Sequence, residues 1–306
     1  MQSSNPVFRK AEGFNGQPAS NAYGNQTYGG NGITYPAYGT PQSPAPDADW
    51  GSQQQQHDPF APTQLDQGRM TIDTVVQKTA ITLGVVVLVA TATWLLTGDI
   101  GGESQAEAEQ AVGTLYLLSM VGALGGFALS MVNSFKRIIS PGLVLLYAVF
   151  QGVFVGAFSK VIEAAFGDGN DMPGLVIGAV IGTFGAVAGT LAAYKFFDIQ
   201  VGQKFRTWVV AAMFGFVAVS LFDFVLSFFG NSFGFNGFGT MGLVSSFIGL
   251  GLGVLMLILD FDFVERGIAA GLPERESWRA AFGLTVTIVW IYIEMLRILA
   301  ILRGND

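Results

Sequence analysis

The sequence predicts an all-α, polytopic membrane protein: a bundle of seven transmembrane helices preceded by a disordered N-terminal tail. The 306 residues are 51% hydrophobic and only 12% charged, whereas soluble domains carry roughly 25% charged residues. From residue 79 onward, apolar runs recur at about the ~20-residue length that a helix needs to cross the hydrocarbon core. The seven runs cover residues 79–97, 112–132, 142–159, 174–193, 208–229, 241–261 and 280–302.

Residues 1–69 differ in composition from residues 70–306, which form the predicted transmembrane domain. The first segment contains stretches such as GSQQQQHDP, rich in Gly, Asn, Gln, Tyr and Pro, and shows no apolar periodicity. Such a segment buries too little apolar surface to offset its chain entropy, so we expect a disordered tether or a docking segment. Its first thirty residues contain no apolar core, so we expect no secretory signal peptide.

The composition also excludes several function classes. The net charge of −7 argues against nucleic-acid binding, which needs clustered Lys and Arg. The chain has no cysteine, and its single histidine, His57, lies in the polar tail, which excludes thiolate sites, histidine-based zinc sites and a Ser-His triad. An intramembrane aspartyl protease needs a GxGD motif, but GLGV at 251–254 ends in Val254. We therefore expect no enzyme activity and no organic cofactor.

The orientation follows from the Lys and Arg residues in the loops. Basic residues cluster before the first span and in the second, fourth and sixth loops, whereas the alternate loops are poor in them. Cytoplasmic loops carry this excess, so we expect a cytoplasmic N-terminus and, after an odd number of spans, a C-terminus outside.

Glycines spaced four apart predict close contacts between the helices, because small residues let helix backbones approach in lipid. Four such pairs lie within the second, third and fourth spans: Gly122/Gly126, Gly152/Gly156, Gly178/Gly182 and Gly185/Gly189. They predict a tightly packed bundle and say little about function.

Ionisable residues inside the spans are the candidates for function, because each costs about 2.5–3.5 kcal/mol to insert. The candidates are Asp223, Asp260, Asp262, Glu294 and Arg297. Glu294 and Arg297 are three residues apart and share a helix face, so they form either a local ion pair with Arg297 as an outer anchor, or an inward-facing site with partners on other helices. Asp260 either caps a helix end or takes part in function, and Asp262 is expected at the membrane interface. Asp223 is either a structural hydrogen-bond partner or part of an outer ion vestibule.

Two carboxylates brought together from different spans would couple protons to cations. Like charges in a low-dielectric site do not both ionise easily, so such a pair holds one proton and titrates as a unit. Loss of that proton leaves a hard-oxygen site suited to Ca²⁺. This is a mechanism for a pH-gated ion pathway.

The chain resembles the Bax inhibitor family, the transmembrane Bax inhibitor motif proteins, over roughly residues 70–303. The resemblance rests on seven spans, the basic pair in MVNSFKRIISPGLVLLYAVFQG, the acidic end of LMLILDFD and the pattern VWIYIEMLRILAILRG. The opening SSNPVF followed by a polar tail is similar to the longer bacterial branch of the family, which implies a bacterial cell membrane.

The resemblance implies a pH-sensitive Ca²⁺ leak. Asp260 and Glu294 would then be the paired carboxylates that sense pH and bind Ca²⁺, and Lys136 or Arg137 would be the basic latch that holds the pore shut. Two features depart from the family pattern: Glu294 stands where an aspartate is usual, and the sixth loop is longer. The predicted spans also place Asp260 about 28 Å and Glu294 about 12 Å from the outer face, at ~1.5 Å per residue. If these depths hold, the two acids are separate sites along one ion path, which we call stations.

Two other functions stay open. A proton-coupled secondary transporter would use the same carboxylates as protonation sites, although no internal repeat is visible. A non-conducting membrane regulator would act through protein partners, for which the tail is a candidate docking segment. The expected partners of the chain are the lipid bilayer, protons and Ca²⁺, and its protein partners stay open.

Overall fold

Seven long helices make up the computed structural model, which describes residues 68–97, 100, 105–167, 174–197, 199 and 201–304. The helices are α1 (Ile72–Leu96), α2 (Gln105–Phe135), α3 (Pro141–Phe166), α4 (Gly174–Phe196), α5 (Gln203–Ser227), α6 (Thr240–Ala269) and α7 (Glu276–Gly304). Each is long and apolar enough to cross a membrane, and the described residues contain no β-strand. The predicted class, a seven-helix integral membrane protein, is confirmed.

The predicted tail, residues 1–69, lies outside the described residues except for its last two. Those two are held at the α6–α7 turn: Arg69 forms an isolated bridge with Pro273, and the Gly68 carbonyl accepts from the Glu274 amide at 2.6 Å. α1 then begins at Ile72, earlier than the apolar run indicates. Thr71 and Thr74 form a capping box there, which satisfies amides that the first turn of a helix leaves free.

The helices alternate in direction, so the bundle has two ends. We call end A the end at which α1, α3, α5 and α7 begin, and end B the opposite end. At end A, the Lys78 ammonium of α1 lies 2.8 Å from the Glu274 carboxylate before α7. At end B, the Lys160 ammonium of α3 donates to the Trp94 and Thr97 carbonyls of α1 at 2.8 and 2.7 Å. Through these two contacts, each end of α1 is attached to a neighbouring part of the bundle.

α7 is the central helix of the bundle. It packs against α1, α3, α4 and α6, whereas α2 lies mainly on α3 and α5 lies on α6. Two thirds of its most apolar stretch is buried (67%), against 17% for α1, α2 and α5. Ile291 and Leu296 of α7 are fully buried, while apolar side chains such as Trp208 on α5 point outward, where lipid would cover them. A polar side chain on α7 therefore meets protein rather than lipid.

Three of the four predicted glycine pairs lie at helix contacts. Gly122 and Gly126 face α3, Gly152 and Gly156 face α1, and Gly178 and Gly182 face α7. At Gly152 a Cβ atom would lie 2.7 Å from the Val86 carbonyl oxygen, which explains why glycine is needed there. The prediction is wrong for Gly185 and Gly189: a Cβ at either position meets no described atom within 4 Å.

Candidate functional site

Glu294 and Arg297 form a buried ion pair on the inner face of α7. Their atoms Oε2 and Nη1 are 3.1 Å apart, and the two residues are only 4% and 8% exposed. The carboxyl group points at Gly249 of α6, where an added Cβ would lie 2.8 Å from it. Glycine at 249 thus makes the space that the carboxylate fills. The pair is both local and inward-facing, and Arg297 is not a lipid-exposed anchor.

Arg297 also reaches beyond its own helix. Its Nη2 donates to the carbonyls of Phe235 and Gly237, in the α5–α6 connection, at 3.1 and 3.3 Å. One guanidinium therefore holds both the carboxylate of Glu294 and the backbone of a neighbouring segment at end B. The planar, multiply donating guanidinium is suited to this, and a lysine ammonium would not match its geometry.

Asp260 lies in α6 and faces α7 at a different level. Its Oδ2 accepts from the Thr287 hydroxyl at 2.6 Å, and its Oδ1 lies 3.4 Å from where a Cβ of Gly283 would be. The part of the chain that the structure describes places no lysine or arginine in an ion pair with it. Asp260 is thus a carboxylate within a span that has a neutral hydroxyl as its partner.

The structure does not bring Asp260 and Glu294 together. The contact of Asp260 is Thr287, and Glu294 is seven residues further along α7, about 10 Å at 1.5 Å per residue. A Ca²⁺ ion has its oxygen ligands at about 2.3–2.6 Å, so two carboxylates sharing one ion must lie within roughly 5 Å. The structure therefore corrects the predicted Ca²⁺ site: Asp260 and Glu294 do not lie close enough to share one ion. The two occupy separate positions along the α6–α7 interface, as the depths read from the sequence suggested.

Asp262 is held by two cations at end A. It lies 2.7 Å from Arg206 of α5 and 2.8 Å from Arg266 one turn further along α6. Arg266 also donates to the Val201 carbonyl before α5 at 2.6 Å. This cluster joins α5 to α6, the helix against which α5 mainly packs. Asp262 therefore has a structural role: it holds α5 to α6 near the end of the span, the position at which the sequence placed it.

We expect Asp262→Asn to destabilise the protein by about 1–3 kcal/mol. The amide cannot neutralise two arginines, but both are partly solvated, with side chains 39% and 56% exposed, which limits the loss. The measurement is thermal unfolding in detergent, followed by tryptophan fluorescence. Asp73→Asn, an exposed first-turn carboxylate of α1, is the control. Equal melting temperatures for the wild type and the Asp262 variant would contradict the structural role.

Asp223 of α5 is a hydrogen-bond acceptor for the α5–α6 connection. It is 1% exposed, and its two oxygens accept from the amides of Phe233 and Asn236, each at 2.9 Å, and from the Ser232 hydroxyl at 3.0 Å. Of the two alternatives from the sequence, the geometry matches the structural partner. All of these donors belong to one short segment, so the carboxylate fixes the fold of that segment.

The two latch candidates, Lys136 and Arg137, lie at the end A terminus of α2 with exposed side chains. Within the described ranges neither side chain has an ion pair or a hydrogen bond to Asp260. Their carbonyl oxygens instead accept from Nη2 of Arg279 in α7, at 3.5 and 2.8 Å. At end A, Arg279 thus joins α7 to the residues that directly follow α2.

Thr287, the partner of Asp260, was missed by the sequence analysis. Threonines in membrane helices commonly bond the carbonyl four residues back, and here Thr82, Thr183 and Thr285 do so. Nothing in the sequence marks Thr287 as different from these. Ser246 of α6, which is fully buried beside Glu294, was missed for the same reason.

The described residues contain no cluster of three or more His, Asp or Glu side chains that could hold a metal ion. Asp260 has a hydroxyl as its partner and Glu294 an arginine, whereas Ca²⁺ favours six to eight oxygen ligands in a resident site.

Comparison with known proteins assigns the family. A family model described as Bax inhibitor 1 like matches residues 5–304. No curated protein matches the chain. The matched region covers all seven helices and both carboxylates of the α6–α7 interface. The chain belongs to the Bax inhibitor 1 like family.

Proposed function

We propose that this protein is a pH-sensitive cation leak channel that conducts Ca²⁺ along the interface of α6 and α7. The observation that carries the proposal is Asp260: a carboxylate in a span, facing the central helix, with a hydroxyl and no cation as its described partner. Ionising such a group away from water is costly unless a proton or another cation accompanies it. Asp260 is therefore the position at which protons and Ca²⁺ would compete.

Glu294 is the second station of the proposed path, nearer end B. Its charge is balanced by Arg297, so it attracts a cation less strongly than Asp260 does. An ion moving along the path would contact one carboxylate and then the other, and it would not be bound by both at once. Weak, sequential sites of this kind favour conduction over retention. In the proposed orientation, with the N-terminus cytoplasmic, end A and Asp260 face the cytoplasm.

The alternatives are a proton-coupled transporter and a non-conducting regulator. The same hydroxyl-bonded carboxylate would serve a transporter as its proton site. Neither alternative is favoured by a separate contact in the structure. We also propose that the chain is not an enzyme, since the carboxylates within its described spans, Asp223, Asp260 and Glu294, have ion partners or hydrogen-bond donors in the geometry described above.

Ca²⁺ flux into proteoliposomes tests the proposal. Purified full-length protein and protein-free liposomes are compared across a pH series with equal pH on both sides. We expect protein-dependent Ca²⁺ uptake that changes with pH and needs no proton gradient. A requirement for a gradient would assign the transporter instead. Absence of flux at every pH would overturn the leak channel.

A further inference from the structure

We propose that residues 228–239, the connection between α5 and α6, form a plug that closes end B over Glu294 and opens by detaching from Asp223 and Arg297. The plug would control access from end B to Glu294. Only the idea that ions use this access rests on the proposed function. The name plug refers to these twelve residues throughout.

The first attachment is Asp223. Its carboxylate accepts four hydrogen bonds from the plug: from the Phe233 and Asn236 amides, from the Ser232 hydroxyl and from the Asn236 side-chain amide at 3.3 Å. Asn236 in turn donates to the Ser220 carbonyl at 2.6 Å. Hydrogen bonds to a charged acceptor are stronger than neutral ones. One buried side chain thus holds both halves of the plug.

The second attachment is Arg297, which joins the plug to the candidate ion site. Its guanidinium donates at one side to Glu294 and at the other to the plug carbonyls of Phe235 and Gly237. The plug cannot leave end B without breaking contacts to the residue that neutralises Glu294. This places the plug and the Glu294 station in one hydrogen-bonded unit.

Aromatic rings complete the closure. The ring of Phe235 packs at 5.1 Å from Phe216 of α5, and that of Phe238 packs at 5.0 Å from Phe166 of α3. Ser245 of α6 donates to the Phe235 carbonyl as well. The plug therefore contacts α3, α5, α6 and α7 and spans the end of the bundle above Glu294.

The plug can detach without unfolding the bundle. None of its twelve residues is fully buried. Two of its rings, Phe235 and Phe238, pack on the helices, and the rest of its attachment consists of the polar contacts to Asp223 and Arg297. Segments with few buried apolar contacts open at low free-energy cost. Gly230 and Gly234 have φ of +73° and +82° and supply turns that other residues adopt poorly. A cavity of about 270 Å³ between α5, Asn236 and Trp290 leaves space beside the plug.

The test uses a cysteine placed below the plug. The chain has no cysteine, so Ser246→Cys supplies a single thiol, at a fully buried position beside Glu294. Full-length protein in lipid nanodiscs is treated with a charged, water-soluble methanethiosulfonate reagent, and the labelling rate is measured by mass spectrometry. We expect slow labelling when the plug is closed.

Asp223→Asn in this background should raise the labelling rate roughly tenfold or more. The amide keeps the shape of the carboxylate, but its NH₂ replaces one of the two acceptor oxygens, so the amide of either Phe233 or Asn236 then lacks an acceptor. Ser232→Ala, within the plug itself, should raise the rate by a smaller factor, because it removes one hydrogen bond. Asp262→Asn changes another buried carboxylate, at end A, and is the matched control. It should leave the rate unchanged, which separates plug opening from general loosening.

The outcomes are distinct. Faster labelling in both plug variants with an unchanged rate in the control supports the plug. Equal rates in the wild type, Asp223→Asn and Ser232→Ala overturn it, as does an equal rise in Asp262→Asn. The reagent reports access whether or not ions pass, so a protein that carries no Ca²⁺ flux can still show a plug, and a conducting protein can lack one.

Discussion

Asp260→Asn is expected to flatten the pH dependence of Ca²⁺ flux and to lower the flux itself by roughly tenfold, the effect of about 1.4 kcal/mol in the barrier. The amide is close to the carboxylate in size and can still accept from the Thr287 hydroxyl. It carries no charge at any pH, so it neither releases a proton nor attracts a cation. The measurement is the proteoliposome flux assay across a pH series.

Glu265→Gln is the matched control for this prediction. It removes a carboxylate of the same helix that lies five residues from Asp260, is exposed, and accepts from Tyr194 of α4 rather than facing α7. We expect its pH profile to match that of the wild type. If Asp260→Asn also matched the wild type, the α6–α7 station would have no part in the pH response. If both variants lost the response equally, a general surface-charge effect would explain it.

Arg297→Met is expected to have the largest effect on stability, a loss of about 3–5 kcal/mol, because it leaves a buried carboxylate without its countercharge. Methionine retains much of the side-chain volume but donates no hydrogen bond. Glu294, at 4% exposure, then has no cation beside it, and the Phe235 and Gly237 carbonyls lose a donor. Unfolding in a denaturing detergent, monitored by tryptophan fluorescence, gives the change.

A double-mutant cycle separates the ion pair from the other contacts of Arg297. Glu294→Gln in the Arg297→Met background should restore a large part of the lost stability, since the uncompensated charge is gone. The part that is not restored measures the contacts to the plug and the arginine packing. Simple addition of the two single losses would show that Glu294 and Arg297 do not interact, contrary to the 3.1 Å contact.

The number and placement of the helices could be predicted from the sequence. A span needs an unbroken apolar run of about 20 residues whatever its neighbours are, so each helix is encoded locally. The helix boundaries could be predicted from the sequence less accurately than the number of helices. α1 starts at Ile72 rather than at residue 79 because a capping box of two threonines, not apolar length, sets its beginning.

The candidate site was predicted in part. The cost of a charge in lipid marks Asp260 and Glu294 among five candidates in the sequence, and the family resemblance implies that these two matter together. Their partners depend on which helix faces which: Thr287 looks like any other membrane threonine, and Gly249 makes space for Glu294 only because α6 crosses α7 at that level. The contacts of the neighbouring charges depend on the same helix crossings, and the latch role of Lys136 or Arg137 stays a prediction. Arg279, not the side chain of Lys136 or Arg137, links α7 to the end of α2.

The sequence by itself determined the membrane class, the seven spans and the identity of the carboxylates that are costly to place within a span. Each of these follows from the transfer of single residues or short runs between water and hydrocarbon, which needs no knowledge of the neighbours. Only the tertiary structure decided that α7 is central, that Asp260 and Glu294 stand about 10 Å apart along it, and that Asp223 and Arg297 hold the plug at end B. Those facts depend on the crossing levels and rotations of packed helices, which arise from the summed contacts of many side chains and leave no local signal in the chain.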